Sequence, residues 1–371
     1  MRFPEFQGEW ETVSLESICD KIGDGIHSTP NYDENGDSFF INGNNLVGGR
    51  IQISETTKRV TRKEAEQHNT SHLAENAILI SINGTIGNLA LYNNEQVMLG
   101  KSACYINLKI GEDRLFVFYQ LGSKRIYNYF IAELTGSTIK NLSLKSIRQT
   151  VFHLPSTEEQ EKVGRFFSLL DERIETQNKI IEDLKLLKST IRHTLFTQID
   201  KSNAETKRIK DILDYEQPTK YIVENTDYQN DVSLVPVLTA NKAFVLGYTS
   251  ENYGIYDKGD CIIFDDFTMD LKYANFPFKV KSSAIKILTS RSNINLKYIF
   301  EYLSFLDLTS SDHKRHYISE VESMPIHVPE IEKQNIFSNL FSVLDEKIVL
   351  ESHHYDLLTA QKQYLLSQLF I

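Results

Sequence analysis

Three short clusters carry residue types that could do chemistry. Gly100-Lys101-Ser102 looks like the end of a phosphate-binding loop, in which backbone amides cradle phosphates and the lysine reaches the outer ones. Such a loop needs a glycine five residues earlier, and Glu95 stands there, so the phosphate-loop reading fails. Asp265, Asp266 and Asp270 could offer oxygens to a hard cation. Without a recognisable ligand loop, three carboxylates in a strand-turn read first as a turn cluster. Asp183-Leu184-Lys185 resembles the end of a nuclease acidic motif, but it stands inside a long helical pattern, the wrong context. Gly23-Asp24-Gly25 continues as Ile-His-Ser and matches no dinucleotide fingerprint. The 8 prolines include no Pro-Pro pair, so the Asp/Asn-Pro-Pro-aromatic site of an adenine-N6 methyltransferase is missing. Cys19, Cys104 and Cys261 are isolated, which fits reduced thiols and gives neither a zinc site nor a disulfide frame. No catalytic residue, no metal site and no cofactor is therefore expected.

If the chain binds DNA, the candidates are polar residues on loops. Asn and Gln match adenine edges, Arg and Lys match guanine, and Ser, Thr and Lys also reach phosphates. Between strand-like runs of the first half stand His27, Ser28, Thr29, Asn42, Asn44, Asn45, Asn83, Thr85, Lys101 and Ser102. Lys58, Arg59, Arg62 and Lys63 form a basic run suited to a phosphate clamp, and Ser137, Thr138, Lys140 and Asn141 form a further polar loop. The second half offers Asn241, Lys242, Lys272, Lys281, Ser282, His313, Lys314, Arg315 and His316. Taken singly, each of these reads first as a solvated loop residue, and the Asn-Gly pairs at 42–43 and 83–84 form turns whatever they touch.

The elements that must position these loops are duplicated. SLLDERI at 168–174 returns as SVLDEKI at 342–348. Sliding the chain along itself by that offset aligns Pro155 with Pro329, Gln160 with Gln334, Lys188 with Lys362 and Leu195-Phe196 with Leu369-Phe370. The period is too long for a solenoid and marks a duplicated half-molecule. Residues 156–200 hold one glycine and no proline, and Ser156 with Glu159 fits a capping box at the start of a helix. A heptad seam follows through Leu170, Ile174, Ile181, Leu184, Lys188, Ile191 and Leu195. The second copy carries Leu344, Ile348, Tyr355, Leu358, Lys362, Leu365 and Leu369. A helix of about 40 residues is roughly 60 Å long. Asp171-Glu172 and Asp345-Glu346 are expected to face away from the seam. The expected fold class is α+β, with two globular mixed α/β domains separated by two long antiparallel coiled-coil helices in a pseudo-twofold repeat. The expected boundaries are 1–155, 156–203, 204–329 and 330–371. One helix is expected near 115–134 and another over 296–306.

Composition narrows the class. The 371 residues carry 41% hydrophobic and 24% charged side chains, ordinary for a globular protein, and no run of about 18 apolar residues suggests a membrane span. The opening MRFPEFQGEWET lacks an apolar leader segment, so a cytoplasmic location is expected. The net charge of −10 argues against a freestanding nucleic-acid binder, although residues 1–155 are near balance, with 15 basic against 17 acidic.

Over essentially its whole length the chain resembles the specificity subunits of type I restriction-modification systems. The resemblance rests on FPEFQGEW, GDGIHSTPNY…FFINGNNL, ILISINGTIGNLALY…LGKSACY, GSTIKNLSLKSI and FDDFT…FPFKV. It rests too on the twice-used LP-x4-Q or VP-x4-Q helix start and the order domain, helix, domain, helix. It implies two target recognition domains reading a bipartite, asymmetric double-stranded DNA site, with the helices as spacer. It also implies two docked methyltransferase (M) subunits, to which restriction (R) subunits can add. The competing reading is a coiled-coil scaffold with duplicated domains and no role in DNA reading.

Overall fold

The computed structural model describes residues 2–67, 73–136, 140–201, 204–240, 243–310 and 314–370. The chain divides into two units, residues 1–177 with 354–371, and residues 178–353. Ser137, Thr138, Asn241, Lys242 and His313 lie outside the described residues.

In the first unit β1 (Glu11–Ser14) pairs with β11 (Val151–Leu154) and closes the two ends of the globular part on each other. An antiparallel sheet runs β2 (Cys19–Asp24), β10 (Ala103–Leu108), β7 (Ile78–Ser81), β8 (Leu89–Leu91). A second sheet runs β6 (Arg59–Val60), β3 (Ser38–Ile41), β9 (Val97–Leu99), with β3 and β9 parallel. A short hairpin joins β4 (Leu46–Val47) to β5 (Arg50–Ile51). β7 and β10 are buried at every position, which is why ILIS and ACYINL read as continuous apolar runs rather than as alternation. The helices are α1 (Arg62–Gln67), α2 (Arg114–Leu121), α3 (Lys124–Ala132) and α4 (Leu144–Arg148). The single helix expected near 115–134 is two, because Gly122 ends α2 and the Ser123 hydroxyl caps α3 through the Ile126 amide.

The second unit repeats this strand order. β12 (Glu205–Arg208) pairs with β20 (Pro325–Val328). The larger sheet runs β13 (Leu213–Glu216), β19 (Ile285–Ser290), β16 (Cys261–Asp265), β17 (Leu271–Ala274). The smaller runs β15 (Val245–Thr249), β14 (Val235–Leu238), β18 (Lys279–Val280), again with its last pair parallel. The helices of this part are α6 (Ile209–Ile212) and α7 (Leu296–Phe305). The duplication therefore extends through both sheets, where sequence identity has largely gone.

The long helices are α5 (Thr157–Asp200) and α8 (Ile331–Leu369). Within the first unit Asp171 accepts from Lys362 and Phe167 lies 6.2 Å from Phe370, so the two helix segments run antiparallel. Within the second, Lys188 donates to Asp345 at 2.6 Å and Phe196 stacks on Phe341 at 6.1 Å, with the same sense. Ile181 and Leu358 are buried, and the other heptad positions, Lys188 and Lys362 included, are half-buried. Asp171 and Asp345 do not face away from the seam as the sequence suggested. A half-buried lysine needs a counterion, and each aspartate supplies one at the flank of the seam. Glu172 and Glu346 are the exposed members of those pairs. Glu159 also departs from the capping-box expectation, because its buried carboxylate is held by the Arg2 guanidinium at 2.7 and 2.5 Å.

The repeated Pro-x4-Gln start has a physical role. Gln160 donates to the Pro155 carbonyl at 3.2 Å and accepts from the Asp113 amide at 3.1 Å. Gln334 donates to the Pro329 carbonyl at 2.8 Å and accepts from the Asn295 amide at 2.9 Å. Asp113 and Asn295 are the N-caps of α2 and α7. Each buried glutamine thus fastens the start of a long helix to the capped end of a helix in its own globular part.

Candidate nucleic-acid interface

Strand pairing gathers the polar loops of the first unit at one edge. Ala103 pairs with Ser81 and Cys104 with Asp24, so the ends of β2 and β7 meet the start of β10. Ile41 pairs in parallel with Leu99, and Gly100 bridges Ile26, which brings the ends of β3 and β9 there too. His27, Ser28, Thr29, Asn42, Asn44, Asn45, Asn83, Thr85, Lys101 and Ser102 all stand on these connections. Asn141 joins them through its bridge to Asn83, with Lys140 exposed beside it.

Several of these side chains are occupied within the protein. The Ser102 hydroxyl donates to Asn42 Oδ1 at 2.9 Å and accepts from the Gly43 amide at 2.9 Å. Asn45 Oδ1 accepts from the Asn42 amide at 3.0 Å. Thr85 Oγ1 lies 3.1 Å from Ser81 Oγ, and His27 Nε2 lies 2.8 Å from Asp24 Oδ2. The two Asn-Gly pairs are glycine for different reasons. Gly84 has φ of +75°, whereas a Cβ on Gly43 would collide with the Ser81 hydroxyl.

The basic run is split. β6 runs antiparallel to β3, and the Lys58 carbonyl accepts from the Phe40 amide, which sets Lys58 at the loop edge. Its ammonium lies 4.2 Å from the Tyr32 ring centroid. Arg59 stacks on Phe39 at 4.6 Å. Arg62 and Lys63 fall past the other end of β3, on α1, where Arg62 pairs with Glu66 at 2.9 Å.

In the second unit Lys281 donates its amide to the Leu238 carbonyl, and Asp265 pairs with Ile285. Lys281 and Ser282 therefore stand at the edge equivalent to that of the first unit. The Asp266 carbonyl accepts from the His316 amide, which brings Lys314 and Arg315 to the same place. Lys272, opposite Ile263 on β17, lies one residue further in. Lys314 pairs with Glu320 at 2.8 Å and holds that carboxyl below its ordinary value. His316 is a correction to the surface reading: its side chain is fully buried, with Nδ1 3.3 Å from Glu320, and cannot enter a groove. The three aspartates form a turn and a buried pair. Asp265 Oδ1 accepts from the amides of Phe267 and Thr268, and Thr268 donates to Asp270. Buried Asp266 accepts from the Tyr317 amide and lies 3.6 Å from buried Lys286. Among the described residues no group of three His, Cys, Asp or Glu is set to hold a metal. Burial pushes the Cys19 and Cys261 thiols up to about 12 and Cys104 higher, so none is a ready nucleophile.

A family model described as the type I restriction modification DNA specificity domain matches twice, at residues 7–186 and 201–360. The chain belongs to the type I restriction-modification DNA specificity family. It is a specificity subunit, the recognition component of such a system and not a catalytic one. It is 40% identical to the EcoR124I/EcoR124II specificity subunit of Escherichia coli over 177 residues, which span 45% of this chain and 44% of that one. It is 23% identical to the MjaIX specificity subunit of Methanocaldococcus jannaschii over 300 residues, 78% of this chain and 67% of the other. The fold matches a type I S subunit from M. genitalium with a TM-score of 0.66 at 17% identity, covering 100% of this chain and 99% of that one.

Sequence reasoning missed Tyr32 and Gln52, which line the same cleft as Asn44 and Lys58. Tyr32 ends the GDGIHSTPNY stretch but an aromatic there reads as packing, and the signal at Gln52 was a polar stretch, QISETTK, following a glycine turn. The repeated glutamines were seen as part of the duplication, but their anchoring role needed the three-dimensional partners.

Proposed function

We propose that each unit reads one half of a bipartite, asymmetric double-stranded DNA target, and that the long helices carry two adenine-N6 methyltransferase subunits, to which restriction subunits can add. The observation that carries this reading is the pairing of identical strand order with unlike loops at the equivalent edge. A conserved mount with divergent polar loops suits two readers of different sequence. The reading domains are residues 1–155 and 204–329, and the helical segments 156–203 and 330–371 are the mounts. The helices support docking because they expose large apolar side chains, among them Leu169, Leu357 and Tyr364 in the first unit and Leu186, Val349 and Leu350 in the second. Neighbouring exposed apolar side chains such as Val349 and Leu350 would suit a protein contact surface. The partners also answer the charge problem, since a subunit of net charge −10 needs help to attract phosphates. The methyltransferase brings S-adenosylmethionine and flips the target adenine out of the DNA. Among the described residues no helix is long and apolar enough to cross a membrane, and the proposed site of action is the cytoplasm, where the DNA is.

The test is co-expression with a candidate adenine-N6 methyltransferase, followed by mapping of N6-methyladenine. A stable complex that methylates one bipartite sequence is expected. No complex, or methylation without sequence preference, refutes the reading. Leu186→Ser with Leu350→Ser is expected to weaken assembly while leaving the fold of the chain intact by circular dichroism.

A further inference from the structure

An open cleft of about 480 Å³ in the first unit lies between the Asn42–Asn45 turn and the segment from Gln52 to Lys58, with Tyr32 as one wall. Among the described residues no carboxylate lines it, in a chain that holds 50 Asp and Glu. Of the three asparagines in this turn that sequence alone marks as readers, two are tied down. Asn42 is held by Ser102 and by Asn45. Asn45 grips Gln52 on both sides of its backbone, its carbonyl accepting from the Gln52 amide at 2.7 Å and its side-chain amide donating to the Gln52 carbonyl at 3.1 Å. By contrast, the side-chain amides of Asn44 and Gln52 make no hydrogen bond among the described residues, and Lys58 forms no ion pair there. Lys58 instead rests on the face of Tyr32, whose ring meets Phe40 edge-on at 5.7 Å.

We infer that Asn44 and Gln52 read base edges in one half-site, with adenine as the preferred base, while Lys58 takes a neighbouring phosphate and Asn42, Asn45 and Ser102 act as positioning residues. The inference rests on the reading of the first unit as a DNA-binding domain. A carboxamide offers one donor and one acceptor in the geometry of adenine N6 and N7, and a free ammonium suits a phosphate oxygen. The Asn45 carboxamide is spent on the backbone and the Asn42 oxygen on the Ser102 hydroxyl, so neither presents a free donor-acceptor pair. The Asn45 clamp fixes the backbone from which the Gln52 side chain projects, so its point of departure is set before DNA arrives.

The experiment uses the full chain assembled with its methyltransferase subunits and maps N6-methyladenine over a random-sequence library. Gln52→Ala and Asn44→Ala are each expected to relax one base position of one half-site, by roughly 5- to 150-fold in preference, with the other half-site unchanged. Gln52→Arg is expected to shift that position towards guanine. Lys58→Ala is expected to weaken binding to all sequences alike and to lower the salt slope of binding by about one. Asn42→Ala is expected to lower the melting temperature while surviving complexes keep the original site. Retention of the full half-site by both Gln52→Ala and Asn44→Ala overturns the inference and leaves the first unit's reading role standing. Methylation by the unaltered complex without sequence preference overturns both.

Discussion

Replacing Gln334 by alanine removes both fastenings between the start of α8 and the cap of α7. The amide is 1% exposed and makes bonds of 2.8 and 2.9 Å to the Pro329 carbonyl and the Asn295 amide. Truncation leaves both backbone groups without those partners, at about 1–3 kcal/mol each when buried. An open cleft of about 810 Å³ borders this place, so water can reach part of what is exposed, and the loss settles near 2–4 kcal/mol. For a unit of this size that lowers the melting temperature by roughly 4–16 °C. The assay is urea and thermal unfolding of the full chain, with hydrogen exchange at the Asn295 amide to assign the transition, since two units need not unfold as one. Gln160→Ala must produce a similar loss in the first unit, read at the Asp113 amide. If either variant unfolds within about 0.5 kcal/mol of the parent chain, the anchoring argument is wrong.

Three further outcomes follow from the charges and glycines. Buried Glu301 faces Lys188 and Lys297 at 3.0 Å and Arg192 at 2.6 Å, so Glu301→Gln should cost about 3–5 kcal/mol in denaturant unfolding. Glu301→Tyr with Lys297→Leu, copying Tyr119 and Leu115 of the first unit, should recover much of it. Burial works against the ionised Asp345, but Lys188 and Lys297 outweigh it and hold the carboxyl below its ordinary value. Glu216, likewise opposed by burial, is held down to about 2 by Lys220, Lys258 and Tyr221. Depressed carboxyls bind fewer protons in the folded state, so their contribution is present above about pH 4.5 and is lost as pH falls towards 2. An acid titration of stability should show that loss, and Asp345→Asn should remove only the share that Asp345 contributes, leaving that of Glu216. Gly43→Ala should lower stability by driving a methyl into the Ser81 hydroxyl, whereas Gly48→Ala meets open space and suffers only from its φ of +60°. Thermal melts of the two variants separate collision from backbone strain.

Much of this was legible in the sequence because it is periodic or punctuated. The heptad rows of α5 and α8 and the buried strands ILIS and ACYINL announce themselves through spacing and apolar content alone. The shared mount was legible because identity survives where two helices must fit each other. What stayed hidden depends on partners far away in the chain. Nothing near Asp171 says that Lys362 will reach it, so its side of the helix was misjudged. Nothing near His316 says that Asp266, 50 residues before it, will hold its backbone and fold it inward. Asn42 and Asn44 look alike as letters two positions apart; only Ser102, some 60 residues on, separates a pinned side chain from a free one. Loop chemistry is set by such long-range bonds, which a local reading of the loop does not see.

The first unit is not contiguous: it needs residues 354–371, and Phe370 packs there against Trp10, Phe116 and Phe167. This has a consequence for biogenesis. Synthesis delivers the amino-terminal globular part first, yet that part cannot close its own core until α8 has been made. The second unit, residues 178–353, is complete in one stretch and can finish folding ahead of the unit that precedes it on the ribosome. The ribosome thus leaves the earliest-made reader waiting, with Trp10 and Phe116 uncovered, for the longest loop closure in the chain. A stop codon that removes only the end of α8 would therefore wound the opposite half of the sequence, and the exposed aromatic pocket would be where aggregation or chaperone capture begins.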